Sequence, residues 1–129
     1  MTLDEFITKY NITMDAEYAE NNPNMDGERT MNHYLVTLHH DKREYSLYFS
    51  QGLGIKHKPT AKSVLESVLL DVSCVESGQT FEDFCSELGY DTDSRRAERI
   101  YNACLKERDQ IGELFGPEVY EEFTQINEG

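Results

Sequence analysis

The stretch "MNHYLVTLHHDKREYSLYFS", residues 31–50, decides the fold class of this chain. It contains two runs rich in β-branched and aromatic residues, in which the side chains alternate with the period of a β-strand. The polar residues from Asp41 to Arg43 separate the two runs and are typical of a short turn. The stretch therefore predicts an antiparallel β-hairpin.

The connector after the hairpin, "QGLGIKHK" (residues 51–58), has part of the composition of a phosphate-binding loop. Gly52 and Gly54 are not followed by the Gly-Lys-Ser/Thr of a Walker A loop, and position 57 is His where a dinucleotide fingerprint needs Gly. The glycines are better suited to let the chain leave the second strand. We expect Pro59 and Thr60 to begin a helix, with Thr60 as its N-cap.

The sequence after Thr60 predicts only helices, because apolar residues recur at helical spacing between capping signals. The expected segments are "TAKSVLESVLLDVSCVESG" (60–78, ending at Gly78), "TFEDFCSELG" (80–89), "DSRRAERIYNACLKERDQIGELF" (93–115, capped by Asp93 or Ser94) and "PEVYEEFTQI" (117–126). Near the other end, "TLDEFITKY" (2–10) opens with a capping-box pattern and predicts a short helix. Asn21–Gly27 predicts a loop.

These patterns predict the α+β class, with an N-terminal short helix and an antiparallel β-hairpin packed on a mainly helical C-terminal half. A length of 129 residues favours a single domain, 1–129, with one hydrophobic core. Within it we expect an acidic N-terminal segment (1–28), the hairpin (31–50) and the helical part (60–126).

Charge is the most unusual bulk property of the chain. There are 25 acidic and 12 basic residues, a formal net charge of −13. Residues 1–28 sum to −6, residues 29–62 to +4 and residues 63–129 to −11. The negative electrostatic field of such a chain repels nucleic acids and anionic membranes and favours basic partners. Two interpretations stay open: the acids are solvated helix faces, or they form a surface that binds a basic site on another protein.

The cysteine content favours a reducing compartment. Cys74, Cys85 and Cys104 fall in predicted helices, and their odd number argues against a disulfide framework. We expect them to be buried structural residues. The first residues lack the basic region of a secretory signal, and no run of 18 apolar residues predicts a membrane span. A cytoplasmic location is therefore expected.

No motif in the sequence predicts catalysis. The nucleophile motifs G-x-S-x-G and S-x-x-K and the zinc motif H-E-x-x-H do not occur. His33 and His39 would share a strand face but lie about 20 Å apart, too far to bind one metal ion. We therefore expect a protein that is not an enzyme and has no cofactor and no metal site.

Several segments occur in an order that resembles a family of small acidic bacteriophage and prophage proteins. They are "YFSQG" (48–52), "KPTAKSVLESVLLD" (58–71), "TFEDFCSELGYDTDSRRAERIY" (80–101) and "YNAC" (101–104), preceded by Asn32-His33-Tyr34 with Val36 and Leu38. The resemblance covers about residues 20 to 120. Members of this family are mostly without an assigned activity, so the resemblance implies no catalytic residue. It implies a mobile genetic element acting inside a bacterial host cell, where small acidic phage proteins often inhibit defence complexes.

The leading hypothesis is a non-enzymatic phage or prophage interaction protein. Its acidic helical surface would bind and inhibit a basic, nucleic-acid-binding host defence protein. Some small phage inhibitors of host defence act by imitating the charge of DNA. The acidic residues expected to contact this partner are Glu82, Asp83, Glu87, Glu113, Glu118, Glu121 and Glu122.

The alternative hypothesis is a module that binds a small ligand or nucleotide through its basic loop. The candidate residues for this anion patch are Arg43, Lys56, His57, Lys58 and Thr60. A third reading, in which the hairpin touches RNA or DNA, is disfavoured by the overall charge. The oligomeric state is open under each reading.

Overall fold

The computed structural model describes residues 1–23, 31–75 and 80–126 and confirms the α+β class. Its elements are α1 (Leu3–Lys9), β1 (Thr13–Ala19), β2 (Met31–His40), β3 (Arg43–Gly52), α2 (Ala61–Ser73), α3 (Phe81–Leu88), α4 (Arg95–Phe115) and α5 (Pro117–Thr124). The described residues fall into two compact units, residues 1–66 (the sheet unit) and residues 67–126 (the helical unit). The expectation of one domain over residues 1–129 stays a prediction.

Two predicted features extend beyond the described residues. The predicted loop Asn21–Gly27 lies partly outside them. Gly78 also lies outside them, but the prediction that the helix after Thr60 runs that far is wrong, because α2 ends at Ser73 and Cys74 and Val75 form a turn. Within the described ranges, no helix is both long and apolar enough to cross a membrane.

The predicted hairpin is confirmed. Strands β2 and β3 pair antiparallel over ten residues each, from Met31 opposite Gly52 to His40 opposite Arg43. Asp41 and Lys42 form the turn with φ of 46° and 69°, both in the left-handed region. A two-residue turn of this hand matches the twist of the strands that it joins.

The sheet has a third strand that the sequence pattern does not predict. Strand β1 pairs antiparallel with β2, from Thr13 opposite His39 to Ala19 opposite His33, which gives the order β1-β2-β3. Asp15 and Glu17 lower its β-propensity and hide it in a polar segment. Because strand side chains alternate, both acids lie on the solvent-facing side of the sheet, where their charge is tolerated.

The two faces of the sheet differ in polarity. Tyr34, Val36 and Leu38 of the central strand are buried on the core face. The opposite face, called here the outer face, carries the alternate residues of all three strands, among them His33 and His39. The predicted sharing of one face by these two histidines is therefore confirmed. The buried apolar residues of the sheet unit are Leu3, Phe6, Ile12, Tyr34, Val36, Leu38, Val64 and Leu65.

The helical unit begins its helices at the predicted caps. Thr80 and Asp83 form a reciprocal capping box at α3, and Ser94 Oγ accepts a hydrogen bond from Ala97 N at α4. Pro117 occupies the first turn of α5, where a missing N–H costs nothing. One core cluster of this unit consists of Val75, Phe84, Cys85, Ala97 and Cys104, with Phe81, Tyr90 and Tyr101 packed against it.

Candidate partner-binding surface

Helix α5 separates an apolar side from an acidic side. The buried side chain of Phe123 packs against Phe115 of α4, with ring centroids 5.2 Å apart, and so anchors α5 to the end of α4. Glu118, Glu121 and Glu122 follow the spacing i, i+3, i+4 and therefore lie on one side of α5. Glu118 and Glu121 are exposed and Glu122 is half-buried.

Glu113 adds a fourth carboxylate less than one turn before the end of α4. We define the α5 acidic surface as Glu113, Glu118, Glu121 and Glu122. Residues 109–126, which contain this surface, include five acidic residues and no Lys, Arg or His. The segment therefore carries no basic residue of its own to balance its charge.

The predicted residues of α3 form a separate group. Glu82, Asp83 and Glu87 are exposed on α3, which packs on the first half of α4 through ring contacts of Phe81 and Phe84 with Tyr101. Along α4, Tyr101 and Glu113 are about 18 Å apart. The seven predicted residues thus divide into two groups rather than one continuous face.

The α3 group also differs in its chemistry. Asp83 Oδ2 accepts a hydrogen bond from Thr80 N at 3.2 Å, so this carboxylate caps the helix. Arg95, Arg96 and Arg99 follow within the first turns of α4 and bring positive charge to this part of the chain. The α5 acidic surface, by contrast, lies in a segment whose sequence contains no basic residue.

The side chains of the predicted basic loop are mostly engaged within the sheet unit. Lys58 Nζ donates a hydrogen bond to the Ala16 carbonyl of β1 at 3.2 Å. His57 Nδ1 donates to the Lys58 carbonyl at 2.8 Å, and the buried Gln51 side chain donates to the His57 carbonyl at 2.6 Å. These contacts hold the connector in place, so the ligand-binding hypothesis for this loop stays a prediction with little geometric support.

Of the other members of the predicted anion patch, Lys56 and Thr60 flank His57 and Lys58 in the chain, whereas Arg43 lies at the far end of β3. Thr60 Oγ1 accepts from Ser63 N at 3.1 Å and is the predicted N-cap of α2. Arg43 begins β3 while the loop follows its other end, so the two lie about 30 Å apart along the strand. Lys56 is exposed in the loop.

The structure also contains a carboxyl pair, Asp71 of α2 and Glu107 of α4, that the sequence analysis missed. The two side chains are hydrogen-bonded to each other, which requires a proton on one of them. Burial, the hydrogen bond to Asp71 and the Asp71 charge raise the pKa of Glu107 to about 9. Burial also raises the pKa of Asp71, although its hydrogen bond to Glu107 opposes this. Glu107 is therefore protonated at neutral pH and donates to the Asp71 carboxylate.

A signal for the carboxyl pair is present in the sequence. Glu107 follows Cys104 and precedes Ile111 at helical spacing, so it lies within the buried stripe of α4. Asp71 follows Val68 by three residues and falls beside the buried stripe of α2. A charged residue within an apolar stripe is uncommon and marks a buried polar contact.

The groups near the carboxyl pair are an arginine that is engaged with the backbone and two cysteines of low reactivity. Arg108, next to Glu107, donates through Nη1 to the Val75 carbonyl at 2.8 Å, just beyond the end of α2. Burial and the nearby charges of Asp71 and Glu107 raise the pKa of Cys104 to about 12, and burial raises the pKa of Cys74. These thiols are poor nucleophiles at neutral pH because the thiolate is the reactive form.

The outer face of the sheet carries a second polar arrangement. His39 Nε2 lies 2.9 Å from Asp15 Oδ2, and His39 Nδ1 lies 3.7 Å from Glu44 Oε2. Farther along β2, His33 Nδ1 lies 2.6 Å from Ser50 Oγ, which also accepts from Asn22 Nδ2 at 3.1 Å. These side chains link the three strands. Throughout the described residues, no group of three or more His, Cys, Asp and Glu side chains is placed to hold a metal ion.

Comparison with protein-family models, with curated proteins and with solved structures gives no significant match. The resemblance to small phage and prophage proteins therefore stays a prediction. The candidate site rests on the charge and geometry of the helical unit.

Proposed function

We propose that this chain is a non-enzymatic interaction protein whose α5 acidic surface binds a basic, nucleic-acid-binding protein of a bacterial host and inhibits it. The observation that carries the proposal is the concentration of five acidic residues, without a Lys, Arg or His, in residues 109–126. Four of these residues form the α5 acidic surface.

The repulsion between neighbouring carboxylates on α5 lowers the stability of the free protein, and this supports a role in binding. Like charges at i, i+3 and i, i+4 destabilise a helix by about 0.2–0.5 kcal/mol per pair. Glu118 with Glu121 and Glu118 with Glu122 are such pairs. A partner rich in Lys and Arg relieves this repulsion when it binds.

The kind of partner follows from the sign and spacing of the charge. A protein that binds nucleic acid presents Lys and Arg side chains to a row of phosphates. A row of carboxylates on a helix offers the same side chains an alternative anionic ligand and attracts them over a distance at low salt. Binding at such a site excludes nucleic acid, which is the inhibitory step.

The experiment uses host proteins that have been selected on DNA-cellulose. The immobilised full-length chain is challenged with these proteins at low and at high salt, and the retained proteins are identified. The proposal expects a basic protein that is retained at low salt, is released at high salt and loses its DNA when the chain is added. Retention that is independent of salt, or retention without displacement of DNA, contradicts the proposal.

A pair of matched variants tests the site. The first carries Glu113→Gln, Glu118→Gln, Glu121→Gln and Glu122→Gln. The control removes the same charge at exposed acids outside the α5 acidic surface, through Glu17→Gln, Glu20→Gln, Glu66→Gln and Glu98→Gln. We expect the first variant to weaken binding at least about tenfold and the control to change it by less than about threefold, as for rim charges. An equal loss in both variants contradicts the assignment to α5.

A further inference from the structure

Strand β3 forms one edge of the sheet. Strand β2 pairs with all ten of its residues, and no strand in the described part of the chain pairs with its other side. Alternate residues of an edge strand direct their N–H and C=O groups away from the sheet, where they can pair with another strand. Strand β3 therefore offers a long row of backbone groups.

This edge lacks the features that usually prevent pairing. From Tyr45 to Gly52 there is no charged residue and no proline, and the register with β2 runs without a bulge. The opposite edge, β1, has seven residues, two of them the exposed acids Asp15 and Glu17, and Lys58 binds one of its carbonyls. Of the two edges of the described sheet, the β3 edge is the one suited to strand addition.

Exposed apolar side chains accompany the β3 edge. Tyr48 on the outer face is 38% exposed, and Leu53 and Ile55 in the following turn are 48% and 39% exposed. Seven large hydrophobic residues are exposed in the described part of the chain, and these three of them lie within eight successive positions. Apolar exposure concentrated beside an edge marks a surface that a partner covers.

We propose that β3 pairs with β3 of a second copy of this chain, which forms a continuous six-stranded sheet across a two-fold axis. With the axis at Leu47, this residue faces its own copy and Tyr45 faces Phe49 of the other copy on the core face. On the outer face, Ser46 faces Tyr48 of the other copy. Opposed residues keep the same face in this register, and apolar residues meet apolar residues on the core face.

Charge and symmetry favour a second copy over another strand. Arg43 and Glu44 cancel each other, and in this register they face Gln51 and Ser50 of the other copy, so no like charges are opposed. An antiparallel edge is complementary to itself under a two-fold axis, which is the commonest symmetry of soluble oligomers. The proposal is independent of the α5 acidic surface.

Sedimentation of the full chain over about 1 to 500 μM tests the proposal, since short strand pairing gives modest affinity. The proposal expects a reversible shift from 14.9 kDa to twice that mass. Amide exchange should show alternate β3 amides that become protected as the concentration rises. A chain that stays at 14.9 kDa throughout, or a dimer without this protection, overturns the proposal.

Matched tyrosine variants locate the contact. Tyr48→Lys places a cation on the β3 edge and should raise the dimer dissociation constant about tenfold or more. Tyr18→Lys makes the same chemical change on the exposed tyrosine of β1 and should leave the constant within about twofold. If Tyr48→Lys has no effect, or if Tyr18→Lys has the larger effect, the proposal is wrong. Circular dichroism of both variants verifies folding, and the amide exchange of the unchanged chain provides a readout that needs no variant.

Discussion

The sheet unit and the helical unit accommodate their charged side chains differently. In the sheet unit, several charged groups contact neighbouring polar groups, as His39 does between Asp15 and Glu44 and as Lys62 does with Asp4. In the helical unit, two half-buried carboxyls are hydrogen-bonded to each other, and most of the other described acids are exposed. Charged side chains support the structure of both units, as Asp83 does in the capping box of α3. The helical unit also carries like charges at helical spacing on α5, at a cost to its stability, which is why we place the proposed function there.

The largest effect we expect tests whether the two units share one unfolding transition. Phe84 is 1% exposed and its ring lies 5.2 Å from that of Tyr101, so Phe84→Ala removes the centre of the helical core. We expect a loss of about 3–5 kcal/mol in the free energy of unfolding, measured by urea denaturation. Amide hydrogen exchange of β2 in the same variant then shows whether the sheet unit is destabilised together with the helical unit. If the β2 amides keep their protection, the units unfold separately, and if they lose it in parallel, the chain behaves as one domain.

An intermediate effect comes from the carboxyl pair. Glu107→Gln keeps a donor to Asp71 without a titrating proton, and we expect it to stabilise the protein at pH 7 by about 1–3 kcal/mol. The pKa of Glu107 rises from 4.5 to about 9 on folding, so the folded chain binds more protons between these values. The stability of the unchanged protein should therefore fall as the pH rises from about 4.5 to about 9.

Denaturation at several pH values checks this prediction. In Glu107→Gln the decline above pH 4.5 should be much smaller. Asp109→Asn, a change at an exposed carboxylate two residues away, should leave the decline in place. A variant with Gln at position 107 that is less stable at pH 7 would show that the carboxyl pair is not protonated there.

The smallest expected effect concerns the hairpin turn of the sheet unit. Lys42 has φ of 69°, which is strained for a residue with a Cβ atom. Lys42→Gly should raise the free energy of unfolding by about 0.5–1 kcal/mol, because relief of strain exceeds the added flexibility of the unfolded chain. Lys42→Ala keeps the Cβ atom and should give no gain. Equal effects of the two substitutions would attribute the change to the loss of the lysine side chain instead.

Local signals were sufficient to predict much of the fold. The caps at Thr2, Thr60, Thr80 and Ser94 and the turn at Asp41 depend on residues within three or four positions of one another, so they can be recognised in the sequence. Strand β1 has no such signal. It is stable because β2 provides its hydrogen-bonding partner, and the acids that obscure it in the sequence are harmless on an exposed face.

The sequence was sufficient to predict which residues belong to the candidate site, but not how they are arranged. The acids of α3 and α5 can be recognised as helical surface residues, but their division into two groups depends on where α4 places the two helices. The use of Lys58 as a contact to Ala16 depends on the unpredicted strand. Likewise, Asp71 and Glu107 are 36 positions apart in the chain and become a carboxyl pair only through packing of α2 and α4.

The shared proton of the carboxyl pair has a calorimetric consequence. At pH 7 the folded chain holds a proton at Glu107 that the unfolded chain releases, so unfolding transfers about one proton to the buffer. Protonation of Tris releases far more heat than protonation of phosphate. The apparent enthalpy of unfolding should therefore differ between the two buffers by the difference in their ionisation enthalpies, and this difference counts the protons exchanged.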